Sequence, residues 1–131
     1  MATYNDLVDG LGSLVVSGVT RRFEDGPPAK LNAADLPAQW VQMPTGEDAP
    51  ISVAETWPVR RAELVIAVEA VGQSTNPANF AATVDLMDAL SSALEGFSLG
   101  TIDPQWDIRL DGVLVAGNAY WAAIAEVTVS G

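Results

Sequence analysis

An α+β fold built on a mainly antiparallel sheet is the architecture this sequence predicts, and three observations predict it. Two segments repeat apolar residues at the i, i+3, i+4, i+7 spacing of an amphipathic helix. Several others alternate apolar and polar residues with the period of two of a half-buried strand. The connections between the alternating segments are of hairpin length, so neighbouring strands run antiparallel and leave one face for both helices. The expected order is α-β-β-β-β-α-β-β in one domain over 1–131. With 49 % apolar residues, a chain of 131 buries enough surface to fold without disulfide or metal.

The first helix is expected from Tyr4, Leu7, Val8, Leu11, Leu14 and Val15, opened by a Thr3–Asp6 capping box and stopped near Gly18. Gly10 and Gly12 each cost about 1 kcal/mol inside a helix, which implies close packing there. The Gly10-Leu11-Gly12 run follows no strand and lacks both a third glycine and a P-loop lysine, so it is not a phosphate loop. Val19–Phe23 reads as a strand, and Asp25-Gly26-Pro27-Pro28 opens a long loop over 24–38 with a helical turn near Ala33–Leu36. Gln39–Met43 is a short strand ended by Pro44, and Thr45–Pro50 an exposed acidic loop. Ile51–Trp57 and Val59–Val71 form the sheet centre, with Pro58 as the corner between them.

The second helix is expected to start with Asn76 as N-cap and Pro77 as first residue, and to end at Gly96. Its buried stripe is read as Phe80, Val84, Met87, Leu90 and Leu94, its wet stripe as Asp85, Asp88, Ser92 and Glu95. Two strands close the chain. The turn between them is placed at 116–118, because the long last strand needs a partner of similar length, and Asp111-Gly112 is read as a bulge.

Composition excludes much chemistry. Without cysteine or histidine the chain has no Cys-His zinc site, thiol redox centre, Ser-His-Asp triad or imidazole base. A net charge of −11 disfavours generic binding to nucleic acid or anionic lipid. A single lysine in so acidic a chain also suits a high-salt host. The first eighteen residues carry no basic side chain, unlike a secretory signal, and no apolar run approaches a membrane span, so a soluble protein without a membrane partner is expected.

Candidate sites are few. Asp85 and Asp88 lie one turn apart, but within a solvated stripe. Asp103, Asp107 and Asp111 recur every four residues without the ligand order of a calcium loop. Glu47 and Asp48 are a loop charge pair. None forms a catalytic set, so neither enzymatic activity nor a cofactor is expected. Arg21-Arg22 and Arg60-Arg61 hold four of six basic residues, suited either to a neighbouring subunit's acidic surface or to carboxylates of their own chain. Of four tryptophans, Trp57 beside Pro58 and Trp106 after Pro104 are the candidate interface anchors, the rest strand packing. The predicted interface is thus Arg21, Arg22, Trp57, Arg60, Arg61 and Trp106.

The succession of an N-terminal amphipathic helix, a strand, the Asp25-Gly26-Pro27-Pro28 loop, a strand opening Arg60-Arg61-Ala62-Glu63-Leu64-Val65, a helix from Asn76-Pro77-Ala78-Asn79-Phe80 and a closing strand pair resembles the tail terminator proteins of long-tailed phages and related tailed particles. The resemblance spans almost the whole chain through element order, size and texture. It implies a protomer that closes into a ring, typically a hexamer, at the head-proximal end of the tail tube in the virion. There the ring ends tube polymerisation, meets the neck or head–tail connector protein, and lets DNA pass without binding it. A connector subunit and a small-ligand-binding domain are the alternative readings.

Overall fold

The computed structural model describes residues 3–50, 56–72, 75–100 and 102–131. They form the α+β fold expected, with the element order α-β-β-β-β-α-β-β. Helix α1 is Tyr4–Gly12 and α2 is Phe80–Glu95. The strands are β1 Arg21–Phe23, β2 Ala38–Val41, β3 Thr45–Pro50, β4 Thr56–Ala70, β5 Gln105–Val115 and β6 Asn118–Ser130. Across the sheet the order is β1-β2-β4-β6-β5, with β3 also on β4. All pairs are antiparallel except β1–β2, which is parallel.

Period-two patterning splits β4 and β6 between two cores. Ala62, Leu64 and Ile66 of β4 and Ala123, Ala125, Val127 and Val129 of β6 face the helices, meeting Leu7 and Leu11 of α1 and Leu86, Leu90 and Leu94 of α2. The alternate residues, Val65, Ala67, Ala122 and Ile124, share the opposite face with Trp40 and Tyr120. Phe23, Leu31 and Leu36 from the long loop and its flank cover this second core. The loop expected between 24 and 38 is therefore a third layer, carrying a short 3₁₀ turn at Ala33–Asp35. Both helices lie on one face, α1 over β2 and β4, α2 over β5 and β6.

Several boundaries differ from expectation. The Thr3–Asp6 capping box forms as predicted, but α1 ends at Ser13, whose hydroxyl and amide both donate to Asp9 O, so Gly18 is not the stop. Val16 rather than Val15 is buried. Close packing does explain Gly10: a Cβ there would lie 3.1 Å from the Phe97 ring. β1 starts at Arg21 and not Val19, because Thr20 turns its amide to Pro37 O and its hydroxyl to Leu36 O. β2 is Ala38–Val41, not Gln39–Met43.

The largest correction is at 45–58. Thr45–Pro50 is a strand and not a loop, held on β4 by Glu47 against Arg61 and Asp48 against Arg60. Pro58 is not a corner but lies inside β4, opposite Asp48 of β3 and one residue past the last β6 pair, Val59↔Ser130. Its carbonyl accepts from the Gly131 amide on the β6 side, so its missing N–H falls at the end of that ladder and takes no bond from β3. Of the strand expected at Ile51–Trp57, residues 51–55 lie outside the described residues, and Thr56 and Trp57 belong to β4. Gly46 is required by packing, since a Cβ would collide with Val59 O and fall 2.7 Å from the Tyr4 hydroxyl.

Helix α2 begins at Phe80 with Asn79 as N-cap, later than the Asn76-Pro77 start, because the Asn79 amide is fixed by Glu69 Oε1 of β4 at 3.2 Å. Its buried stripe is Thr83, Leu86, Leu90 and Leu94, so Phe80 and Val84 are exposed and Met87 is half-buried. Gly96 caps its C-terminus as expected. The turn between β5 and β6 falls at Ala116-Gly117, both with positive φ as a two-residue hairpin demands. Asp111-Gly112 is no bulge: the β5–β6 register is unbroken, and the irregularity lies in β4 between Ala67 and Glu69.

Leu90→Ala should lower stability by about 2–5 kcal/mol, as expected of a fully buried leucine. Phe80→Ala, at a site 63 % exposed, should stay within about 0.5 kcal/mol of the parent in denaturant unfolding.

Candidate subunit interface

The arginines proposed from the sequence as interface residues are all engaged within the chain. Arg60 is 7 % exposed, on the helix face of β4. Its guanidinium donates to Asp48 Oδ1 at 2.8 Å and to Glu47 O and Val59 O at 3.1 Å, and stacks 4.4 Å from the Tyr4 ring centroid. It thereby ties β3, β4 and α1 together. Arg61 points to the other face and pairs with Glu47 at 3.1 Å while remaining partly exposed. Arg22 donates to Ser13 O at 2.7 Å, closing the turn after α1. Arg21 pairs with Asp35 at 3.2 Å and lies 4.5 Å from the Phe23 ring centroid. The partners are not Glu24, Asp25 or Glu63, the carboxylates nearest in sequence.

Asp35 pins the covering loop. The Asn32 amide donates to its carboxylate at 3.1 Å, and this bond, more than the Arg21 charge, holds the Asp35 pKa below its ordinary 3.8. On the open part of the second face, Glu63 of β4 accepts from Arg109 of β5 at 2.7 Å and raises the arginine's pKa further. Glu63 stands opposite Glu126, and Glu126 opposite Asp107. Arg109 thus offsets a row of carboxylates running across three strands.

Trp57 is 48 % exposed at the start of β4, with Gly131 against its ring. Trp106 is half-buried in the helix-side core, and Trp40 is fully buried in the other. Of the sequence-proposed interface residues, Arg21, Arg22, Arg61 and Trp57 therefore reach the surface, at separate places. The other acidic candidates remain solvated: Asp85, Asp88, Asp103, Asp107 and Asp111 are exposed. Among the described residues, no three His, Cys, Asp or Glu side chains come together to hold a metal ion.

Two surface features were hidden from the sequence. The helices carry five carboxylates, Asp6, Asp9, Asp85, Asp88 and Glu95, and no basic residue, so the helical layer is uniformly acidic. That pattern was legible, but only once both helices shared a face. The second is apolar: Phe80 and Val84 emerge from the flank of α2 that faces away from the cleft at Gly18 and Pro37. The cleft itself, about 550 Å³, lies between α2 and β4 and is lined by Val68, Glu69, Asn79 and Leu86. Among the described residues, no helix is long and apolar enough to cross a membrane.

Arg60→Ala should lower stability by about 1–3 kcal/mol through the lost hydrogen bonds and stacking, whereas Arg61→Ala should cost under about 0.5 kcal/mol. Because the Asp35 pKa is lowered on folding, its stabilisation is complete above the unfolded value of 3.8 and disappears as pH falls through the lower folded value. Asp35→Asn should therefore flatten the acid limb of the stability curve, measured by urea midpoints from neutral pH downward.

No protein-family model matches the chain, and no curated protein is detectably similar to it in sequence.

Proposed function

We propose that this protein is a structural subunit of a tailed particle, a tail terminator that forms a ring at the head-proximal end of the tail tube. The observation that carries this reading is the protomer: α-β-β-β-β-α-β-β, with both helices on one face, is the element order on which the resemblance rests. Charge supports it. A ring of subunits with −11 each and an all-acidic helical layer would repel DNA sliding through it. The ring uses two different patches per protomer, and the tube end acts as its template. No catalytic step and no cofactor belong to this role. The partners are further copies of the chain, the tube protein and the neck connector.

Purified protein mixed with tail tubes should appear as a ring at one tube end by electron microscopy. Arg22→Glu combined with Arg61→Glu should weaken capping while the protomer stays folded. Arg60 is unsuitable for that purpose, being buried. Absence from tube ends under all conditions would exclude the reading. The cleft between α2 and β4 favours a second one, a small-ligand domain. Its signature is a protein that ignores tube ends and melts at a higher temperature with a small ligand.

A further inference from the structure

The strand β5 ends the sheet, and no described strand pairs with its outer edge. It is eleven residues long and has no proline, lysine or bulge to protect an open edge, its only such devices being the charged Asp107, Arg109 and Asp111. The other open edges are poorer templates: β1 has three residues, and β3 has six that include Gly46, Glu47, Asp48 and Pro50. The Gly112 amide already donates to a side chain, Asp111 Oδ1, at 2.8 Å, a stand-in of the kind an unpaired edge uses. The flank of α2 turned away from the Gly18–Pro37 cleft presents Phe80 and Val84, 63 % and 40 % exposed. Leu114 of β5, on the same helix-bearing face of the sheet, is 75 % exposed. A free edge thus coincides with an uncovered apolar flank.

We infer that the β5 edge is a two-fold docking site for a second copy of this chain, which pairs antiparallel with it and joins the two sheets. The sequence of the strand is self-complementary in one register. When the two copies overlap over the full strand, Leu110 lies on the axis opposite itself, and the pairs to either side follow. Arg109, whose guanidinium also holds Glu63 and Asp111 of its own sheet, stands opposite the partner's Asp111 twice, Trp106 meets the partner's Leu114, and Asp107 meets the partner's Val113. Sliding by two residues, the smallest step that keeps the edge amides and carbonyls facing each other, sets Arg109 against Arg109 and Asp107 against Asp111 in one direction, or Asp111 against itself in the other, like charges that oppose pairing. Full overlap and charge complementarity therefore select the same register. A two-fold axis through the sheet also sets both helical layers on one side, so the Phe80–Val84 flanks approach each other. The contact is isologous, separate from the head-to-tail patches of a ring, and the inference does not rest on the tail-tube reading.

The chain has no cysteine, which allows a direct test. Directly opposed residues of an antiparallel pair lie about 4.5–5.5 Å apart at Cα, within disulfide reach. Leu110→Cys should therefore give a covalent dimer under mild oxidation, and Ser92→Cys, on the outer face of α2, should not. Unmodified protein should sediment at twice its 13.7 kDa. Asp111→Arg and Arg109→Asp should each sediment as a monomer with an unchanged far-ultraviolet circular dichroism spectrum, and an equimolar mixture of the two should recover the dimer. A protein monomeric at every concentration overturns the inference. So does a larger assembly that Leu110→Cys fails to cross-link, or dimerisation that survives both charge reversals. Tube-end microscopy, which tests the ring, is independent of each of these readouts.

Discussion

Backbone pairing along β4 is the constraint from which the other elements take their positions. Of its fifteen residues, 59–70 pair with β6 on one side, while β2 and β3 divide the other side between them, separated by residues 42–44. Because successive side chains alternate, one register assigns Leu64 and Ile66 to the helices and Val65 and Ala67 to the loop layer. A slip of one residue would exchange the two cores and strand Arg60 and Glu63 on the wrong faces. The strand is well defended against it. The Arg60–Asp48 and Arg61–Glu47 pairs tie β3 to β4 by charge, and Tyr4 seals the buried guanidinium from the helix side.

That arrangement explains which parts of the fold are legible in the sequence. Alternation in 62–67 and 121–129, the helical stripe at Leu90 and Leu94 and the Thr3 capping box are local signals, and each forms where its pattern says, whereas the irregularity between Ala67 and Glu69 turns Glu69 to the helix face against the period of two. The strand at Thr45–Pro50 is not local. Gly46, Asp48 and Pro50 are turn formers, and the segment becomes a strand only through partners six to sixteen residues away. Pro58 misleads for the same reason, because its lost N–H matters only where a ladder exists to receive it. The α2 stripe centres on Thr83, Leu86, Leu90 and Leu94, and the start at Asn79 that Glu69 fixes is a tertiary fact that periodicity alone cannot encode.

The candidate interface was legible in a different measure. Residue type marks arginine dipeptides and tryptophans as notable, but exposure decides their availability, and exposure is a property of packing. Arg60 and Trp106 have the chemistry of anchors and are wholly or half buried in their own subunit. Phe80, Val84 and Leu114, read as core or left unremarked, are the apolar groups the fold leaves open. What distinguishes the two sets is which flank of a helix or edge of a sheet lacks a neighbour.

The loop layer at 24–37 also makes the two sides of the sheet unequal in cooperativity. Helices α1 and α2 are held by continuous stripes, so opening that side means losing the main core. The other side is covered by irregular chain held by Asp35 with Arg21 and the Asn32 amide, the Thr20 hydroxyl and amide on Leu36 O and Pro37 O, the Tyr120 hydroxyl on Leu31 O, and apolar contacts of Leu31 and Leu36. Such a segment can detach as a unit while the sheet persists, giving β2 amides a sub-global exchange route that the β4–β6 ladder does not share. Each detachment bares Trp40, Val65 and Ile124 to water together. The native ensemble therefore contains a sparsely populated form with a wet apolar sheet face, and the stability of this loop rather than of the whole fold sets its abundance.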